Sequence, residues 1–263
     1  MNFISYPQLA RDISEWAKDL PRFDLVVGID RSGMLPATML AKAWDVPVEP
    51  LSKTWMENEN ERKVLVVDDS YNFGGAMRQA KSKVKGGSVR YGAVYVANDK
   101  GAAQLDYSFQ ILPHPRAFQW NLFHHDIMPS TCLDMDGVIC EDVPTEYNDD
   151  GAKYRQFIRD VKPWNLPTVK VGAIVTGRLE KYRAITEEWL DRHGVLYDHL
   201  EMMPFGRPAD RRAYGIGRFK AEHYANDGYR LFIEDAEDQA RTIREQTGKP
   251  VLLISGKREW RIV

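Results

Sequence analysis

Two stretches of the chain set acidic side chains at spacings that chemistry can use. In Cys132-Leu133-Asp134-Met135-Asp136-Gly137-Val138, two carboxylates stand one residue apart after a short apolar run. That spacing places both beside one divalent cation and one phosphoryl group. One carboxylate can then attack phosphorus in line, while the other gives a proton to the leaving oxygen and later takes one from water. Gly137 lets the chain turn sharply. In Val64-Leu65-Val66-Val67-Asp68-Asp69, an apolar run ends in vicinal acids. Such acids can accept hydrogen bonds from a ribose diol or face a Mg²⁺ carried by a diphosphate.

Neither stretch stands alone. Downstream of Asp134, Ala173-Ile174-Val175-Thr176-Gly177-Arg178 is a strand pattern ending in a hydroxyl and a glycine, and Thr176 can donate to a phosphoryl oxygen. Lys220, in Gly217-Arg218-Phe219-Lys220, can neutralise a phosphoryl group and an attacking aspartate. Leu231-Phe232-Ile233-Glu234-Asp235, with Asp238 just beyond, supplies further acids for a metal. Singly, these are a capping threonine, a solvated lysine and a charged helix start; in this order they argue for a site. In the first half, Arg31-Ser32-Gly33 fills a strand-to-helix turn, where a guanidinium can meet a diphosphate. Asn72-Phe73-Gly74-Gly75-Ala76 opens a helix, and its backbone N–H groups can turn toward an anion.

The elements that must position these groups follow from hydrophobic period. Helical spacing covers 7–20, 34–44 and a stretch ending at Val84, alternating with strand-like runs at 23–29, 46–51, 63–67 and 89–97. That alternation predicts a parallel sheet with helices on both faces, whose strand C-termini carry the acids. The stretch 110–123 is rich in proline and aromatics and shows no period; 124–130 is short and polar. The boundary is expected there, giving domains 1–127 and 128–263. A second series follows, with strands at 131–134, 170–175, 229–234 and 251–254. Its helices are expected near 154–161, 180–193, 218–226 and 237–247.

The first half resembles a type I phosphoribosyltransferase, a family using 5-phosphoribosyl-1-diphosphate (PRPP). The stretch from Asp68 to Met77 is similar to its PRPP signature, and Arg31-Ser32-Gly33 to its diphosphate loop. The resemblance implies that Asp68 and Asp69 hold the ribose hydroxyls and that the backbone from Asn72 to Ala76 holds the 5′-phosphate. The family usually carries threonines at the positions of Phe73 and Ala76. Losing such neutral hydrogen bonds, about 1 kcal/mol each, weakens binding tenfold or more. Lys100, Phe118 and Trp120 are the candidates for contacting the base, Phe118 and Trp120 by stacking. The polar stretch 53–63 brings Lys53, Arg62 and Lys63 as late-arriving charges.

The second half resembles the haloacid dehalogenase (HAD) phosphohydrolase superfamily. The resemblance implies Asp134 as nucleophile, Asp136 as general acid and base, and Thr176 and Lys220 as phosphate-binding groups. It implies a Mg²⁺ site of Asp134, Asp136 and Asp235, with Glu234 or Asp238 as supporting acid. The span from Val138 to Ala173 is too short for a large cap, so the fold class expected is α/β, with two domains. A phosphoribosyltransferase-like parallel sheet precedes a Rossmann-like HAD domain with a minimal cap. Asp142, Tyr147, Asn148 and Tyr154 are placed to face the leaving group. Residues 177–190 also look like the phosphatase part of polynucleotide kinase-phosphatases, in which case Arg178, Lys181 and Arg183 would meet a nucleic-acid backbone; a solvated helix face is the reading preferred.

The whole layout resembles phosphoribosyltransferase–phosphatase fusions of phage and tellurite-resistance-linked modules. It implies a bifunctional enzyme: PRPP and a purine-like base give a nucleotide, which is then dephosphorylated through an aspartyl-phosphate. The alternative is a phosphatase acting on nucleotides or nucleic-acid 3′-phosphate ends, with an inactive PRPP- or nucleotide-binding first domain. Composition narrows the field. The 263 residues are 43% apolar with a formal charge of −2, which suits two packed cores and gives no general nucleic-acid-binding face. Cys132 and Cys140, the two cysteines, make no disulfide framework. No apolar run spans a bilayer and no basic-then-apolar leader opens the chain, so a cytoplasmic protein is expected. Relatives of the first half often form homodimers, although no interface signal is decisive here.

Overall fold

The computed structural model describes residues 1–53, 56–57, 62–86, 88–147, 150–226, 228–255 and 258–263. The chain folds as two compact units, Met1–Trp120 and Asn121–Val263. The division falls before the expected boundary at 127. Leu122 and Phe123 are buried, and the Phe123 carbonyl accepts from the Thr168 amide, so this stretch belongs to the second unit. No helix among the described residues is long and apolar enough to cross a membrane.

Among the described residues, the first unit is built on a five-stranded sheet in the order Val48–Pro50, Leu25–Gly28, Val64–Tyr71, Val89–Val96, Tyr107–Ile111. Every pairing in it is parallel. Leu25–Gly28 and Val64–Val67 are buried throughout, as a parallel strand covered on both faces requires. One face packs Leu9, Ile13 and Trp16 of the Tyr6–Asp19 helix and Leu40 and Ala41 of the Met34–Trp44 helix. The other packs Met77 and Ala80 of the Gly75–Lys83 helix. Ser5 caps the first helix, accepting from the Gln8 amide, with Pro7 in the first turn. The stretch that showed no period is ordered from outside: Tyr107–Ile111 is the edge strand, and Arg116–Phe118 pairs in parallel with Asn2–Ile4.

The second unit carries a sheet in the order Tyr197–Met203, Val171–Leu179, Thr131–Leu133, Leu231–Glu234, Val251–Ser255, Arg258–Ile262. Only the last pairing is antiparallel. In the central pairings Leu133 lies opposite Ile174 on one side and Ile233 on the other. Asp134, Val175 with Thr176, and Glu234 with Asp235 therefore follow level positions in the three strands and come together at one end of the sheet. The Val171–Leu179 strand keeps register with Tyr197–Met203 only to Thr176. Leu179 then pairs with Met203, the residue next to Thr176's partner, leaving Gly177 and Arg178 in a bulge. One helix, Gly151–Asp160, fills the short insert where a small cap was expected.

Candidate active site

Asp134 directly follows the Thr131–Leu133 strand, and its amide still pairs with the Ile233 carbonyl. The chain then doubles back. The amides of Val138, Ile139 and Cys140 converge on the Met135 carbonyl, and Gly137, at φ +79°, donates to the Cys140 carbonyl. A Cβ on Gly137 would sit 2.1 Å from an Asp235 carboxylate oxygen, so this glycine is what lets the two acidic strand ends close on each other.

Asp134, Asp136, Thr176, Arg178, Lys220 and Asp235 line one cavity of about 190 Å³. That is smaller than a pocket for a whole drug-sized molecule, so it fits the reacting end of a ligand. Lys220 is buried and donates to Asp134 Oδ2 at 2.7 Å, Glu234 Oε2 at 2.7 Å and Gln239 Oε1 at 2.8 Å. Burial alone would lower its ammonium; Asp134 and Glu234 outweigh that and raise it. Glu234 is fully buried and also accepts the Asp235 and Ala236 amides. Asp238 is exposed in the first turn of the Glu237–Thr247 helix and takes no part in the cavity lining.

Burial pushes Asp134 up to about 8, Lys220 opposing and Glu234 adding. Burial pushes Asp235 up to about 7, with Asp134 and Asp142 adding. Among the lining residues and Glu234, five carboxyl groups (Asp134, Asp136, Asp142, Asp235 and Glu234) meet three basic side chains (Arg178, Arg211 and Lys220). One oxygen each from Asp134, Glu234 and Asp235 lies within 4.8 Å of the others. Hard oxygen donors grouped this closely fit one hard divalent cation.

Asp136, expected among the metal ligands, is turned elsewhere. Both its carboxylate oxygens are taken by the Arg178 guanidinium, Nε to Oδ2 at 2.9 Å and Nη2 to Oδ1 at 2.5 Å. Arg178 is completely buried, so it is neither on a solvated helix face nor a contact for a nucleic-acid backbone. Lys181 pairs with Asp150, and Arg183 with Glu180 and Glu187. Of the residues expected to face a leaving group, Asp142 and Tyr154 line the cavity, Tyr147 packs edge-on against Phe157, and Asn148 lies outside the described residues. Sequence reasoning missed Gln239 and Arg211. Arg211 is buried on the short Pro208–Tyr214 helix, lines the cavity and donates to the Gly177 carbonyl at 3.0 Å. A basic residue nine before Lys220 gives no periodic signal.

In the first unit, Asp68 and Asp69 end the buried part of the Val64–Tyr71 strand. Burial, with Asp69 adding, raises the Asp68 carboxyl well above its usual range. Gly33 is pressed against this strand. A Cβ there would meet the Ile29 carbonyl oxygen at 2.6 Å, the Val67 carbonyl oxygen at 2.8 Å and an Asp68 carboxylate oxygen at 2.9 Å. The loop of Arg31, Ser32 and Gly33 thus lies beside Asp68, with Arg31 exposed. Gly74, at φ +71°, precedes the Gly75–Lys83 helix, and Asn72 Oδ1 is 3.1 Å from His114 Nε2. Ala76 is exposed, and so is Phe73, at 84%.

The expected base contacts do not form a stacking slot. Phe118 is buried in the core, 5.5 Å from the Tyr95 ring and 5.1 Å from the Trp120 ring. It packs in the core with Leu9, Ile13 and Trp16, so its ring is spent on packing. Trp120 is half-buried, and its indole N–H donates to Asp69 Oδ2 at 2.6 Å. Lys100 is exposed on the Asp99–Ala102 turn of helix. Lys53 ends a 3₁₀ turn and the Lys63 amide donates to Asp24, but most of 53–63 lies outside the described residues.

Comparison with known proteins finds partial likenesses. No family model matches. The chain is 32% identical over 81 residues to "Putative nucleotidase YqfW" of Bacillus subtilis, covering 31% of this chain and 36% of that protein. It is 32% identical over 104 residues to an orotate phosphoribosyltransferase of Staphylothermus marinus, covering 35% of this chain and 51% of that one. The chain thus spans from about a third to half the length of these relatives. Among solved structures, a purine phosphoribosyltransferase from Pyrococcus horikoshii aligns at 18% identity and TM-score 0.40, covering 45% of this chain and 92% of that one.

Proposed function

We propose that the second unit hydrolyses a phosphomonoester, a nucleotide by substrate class, and that the first unit combines PRPP with a nitrogenous base to make that nucleotide. One observation carries the hydrolase reading: Asp134, Asp136, Thr176, Lys220 and Asp235, from four separate stretches of sequence, line a single small cavity. The local likeness to a protein named as a nucleotidase supports the substrate class.

The chemistry is an in-line displacement. An Asp134 oxygen forms a bond to phosphorus as the bond to the ester oxygen breaks, and Asp136 gives its proton to that oxygen, releasing the alcohol. Water then attacks the aspartyl-phosphate and gives its proton to Asp136, releasing orthophosphate and the Asp134 carboxylate. Lys220 holds Asp134 in place and offsets charge on the phosphoryl oxygens, and Thr176 donates to one of them. Asp134 and Asp235 would hold a Mg²⁺, which when bound neutralises charge on the phosphoryl group.

In the first unit, Asp68 and Asp69 would take the ribose hydroxyls, the amides from Asn72 to Ala76 the 5′-phosphate, and the Arg31 loop the diphosphate. A second reading has its own support: Asp69 already accepts the Trp120 indole, and Phe73 and Ala76 bring no hydroxyl. The first unit then binds PRPP or a nucleotide without turnover, and the hydrolase acts alone on nucleotides.

The test incubates the full chain with Mg²⁺, PRPP and a panel of purine and pyrimidine bases, following diphosphate and orthophosphate separately. Base-dependent diphosphate release that is lost in Asp69→Asn establishes the transferase. Orthophosphate release that is lost in Asp134→Asn, by at least about 10³-fold, establishes the hydrolase. Orthophosphate from added nucleotides with no diphosphate under any base favours the second reading. Neither product, from folded protein, overturns both.

A further inference from the structure

We propose that Arg178 is a positioning residue that serves the departure of the leaving group by fixing the Asp136 carboxylate; this rests on the hydrolase reading of the second unit. The geometry is a fork on a fork. Arg178 Nε and Nη2 each hold a different oxygen of Asp136, at 2.9 and 2.5 Å, which fixes both the position and the plane of the carboxylate. Its remaining arm reaches Thr186 Oγ1 at 3.4 Å, and Thr186 is fully buried on the Arg183–Arg192 helix. The Cys140 thiol, 3.4 Å from Asp136 Oδ1, closes the other side.

The backbone is shaped to deliver this contact. Arg178 lies in the bulge that breaks register between Thr176 and Leu179, and a bulge re-aims the side chain it carries. In regular alternation Thr176 and Arg178 would share one face of the strand. Across the bulge both side chains line the same cavity, and the Thr176 hydroxyl also accepts the Arg178 amide at 3.2 Å. A completely buried guanidinium whose fork is filled by Asp136 has little left to offer a phosphoryl group. Its influence on the reaction therefore runs through Asp136, which lines the same cavity.

The role has a signature that a phosphate ligand or a folding residue does not share. A proton donor matters most when the departing oxygen is strongly basic, and little when the leaving group departs readily as an anion. The experiment measures kcat and KM of the full chain with Mg²⁺ on p-nitrophenyl phosphate, a good leaving group, and on glycerol phosphate, a poor one. Arg178→Lys keeps the charge but loses the fork. Its kcat on glycerol phosphate should fall at least about 100-fold, within the range for misplaced acid–base groups, and on p-nitrophenyl phosphate less than about a tenth as much, with KM little changed. Thr186→Val removes only the hydroxyl that steadies the fork; it should show the same selectivity at smaller size, and it decides the matter if Arg178→Lys does not fold. Equal losses on both substrates, or a loss seen mainly in KM, would overturn the proposal. A folded wild-type chain that releases no orthophosphate from these esters or from nucleotides overturns the hydrolase reading itself.

Discussion

At the scale of single residues, the second unit is a study in shared charge. Lys220 is the hub: it ties a strand-end aspartate, a buried glutamate and a glutamine from three different stretches. Breaking a buried ion pair from one side leaves the other charge stranded, at a typical cost of about 3–5 kcal/mol. Lys220→Met should therefore lose both turnover and about that much stability, read as a lower urea midpoint by circular dichroism. Unchanged stability would mean that Asp134 and Glu234 find other partners. In the first unit, Trp120→Phe keeps the ring over Phe118 and removes the indole N–H from Asp69. If Asp69 takes a ribose hydroxyl, this variant should bind PRPP at least as tightly as the parent chain in titration calorimetry. Binding weakened tenfold or more would assign Trp120 to the ligand instead.

Elements explain why some of this was legible in the sequence and some was not. The Met34–Trp44 and Glu237–Thr247 helices stand where their spacing puts them, since amphipathic period and apolar faces persist over several turns. The acids at the strand ends were legible for a related reason: an apolar run followed by Asp-x-Asp or Asp-Asp marks a strand terminus. The Tyr197–Met203 strand was not. It is an edge strand in which exposed residues run together at Asp198 and His199, and its pairing with Val171–Leu179 comes from outside its own sequence. Arg178 was misread because a bulge cannot be seen in a period. Gly137 is the element-scale test. A Cβ there collides with Asp235, and φ is +79°. Gly137→Ala should push the Asp235 carboxylate away and lower kcat by about 10²-fold, a typical loss for a displaced catalytic group, while demanding more Mg²⁺ for half-maximal rate. A wild-type Mg²⁺ response would show that Asp235 does not need the close approach.

At the scale of the whole molecule, the acidic excess couples stability to pH and to cations. Asp134 and Asp235 are held near 8 and 7, well above an unfolded aspartate at about 3.9. Without metal, the native state binds more protons than the unfolded state between those limits. Stability from these groups is then fullest below about pH 4 and falls as pH rises to about 8. A divalent cation replaces the protons, so Mg²⁺ should raise Tm by more than about 2 °C at pH 8 and by less at pH 5. Calorimetric scans in Mg²⁺ and in EDTA at both values check this; an equal rise at the two would place the metal away from these acids. The local likenesses to a protein named as a nucleotidase and to an orotate phosphoribosyltransferase reach only part of each relative, so the proposal of two phosphate sites is argued from each unit's own residues.

The parallel ribbon between Asn2–Ile4 and Arg116–Phe118 has a consequence for how the first unit is made. Its partners lie at opposite ends of that unit, so Asn2–Ile4 is synthesised long before the strand it pairs with. The sheet of Leu25–Gly28, Val64–Tyr71 and Val89–Val96 can assemble in that interval. The clasp joins residues far apart in sequence, so its closure is expected late, and it brings the segment that carries Trp120 to Asp69. A chain ending before residue 116 would thus present Asp68 and Asp69 without the indole that Trp120 brings to Asp69.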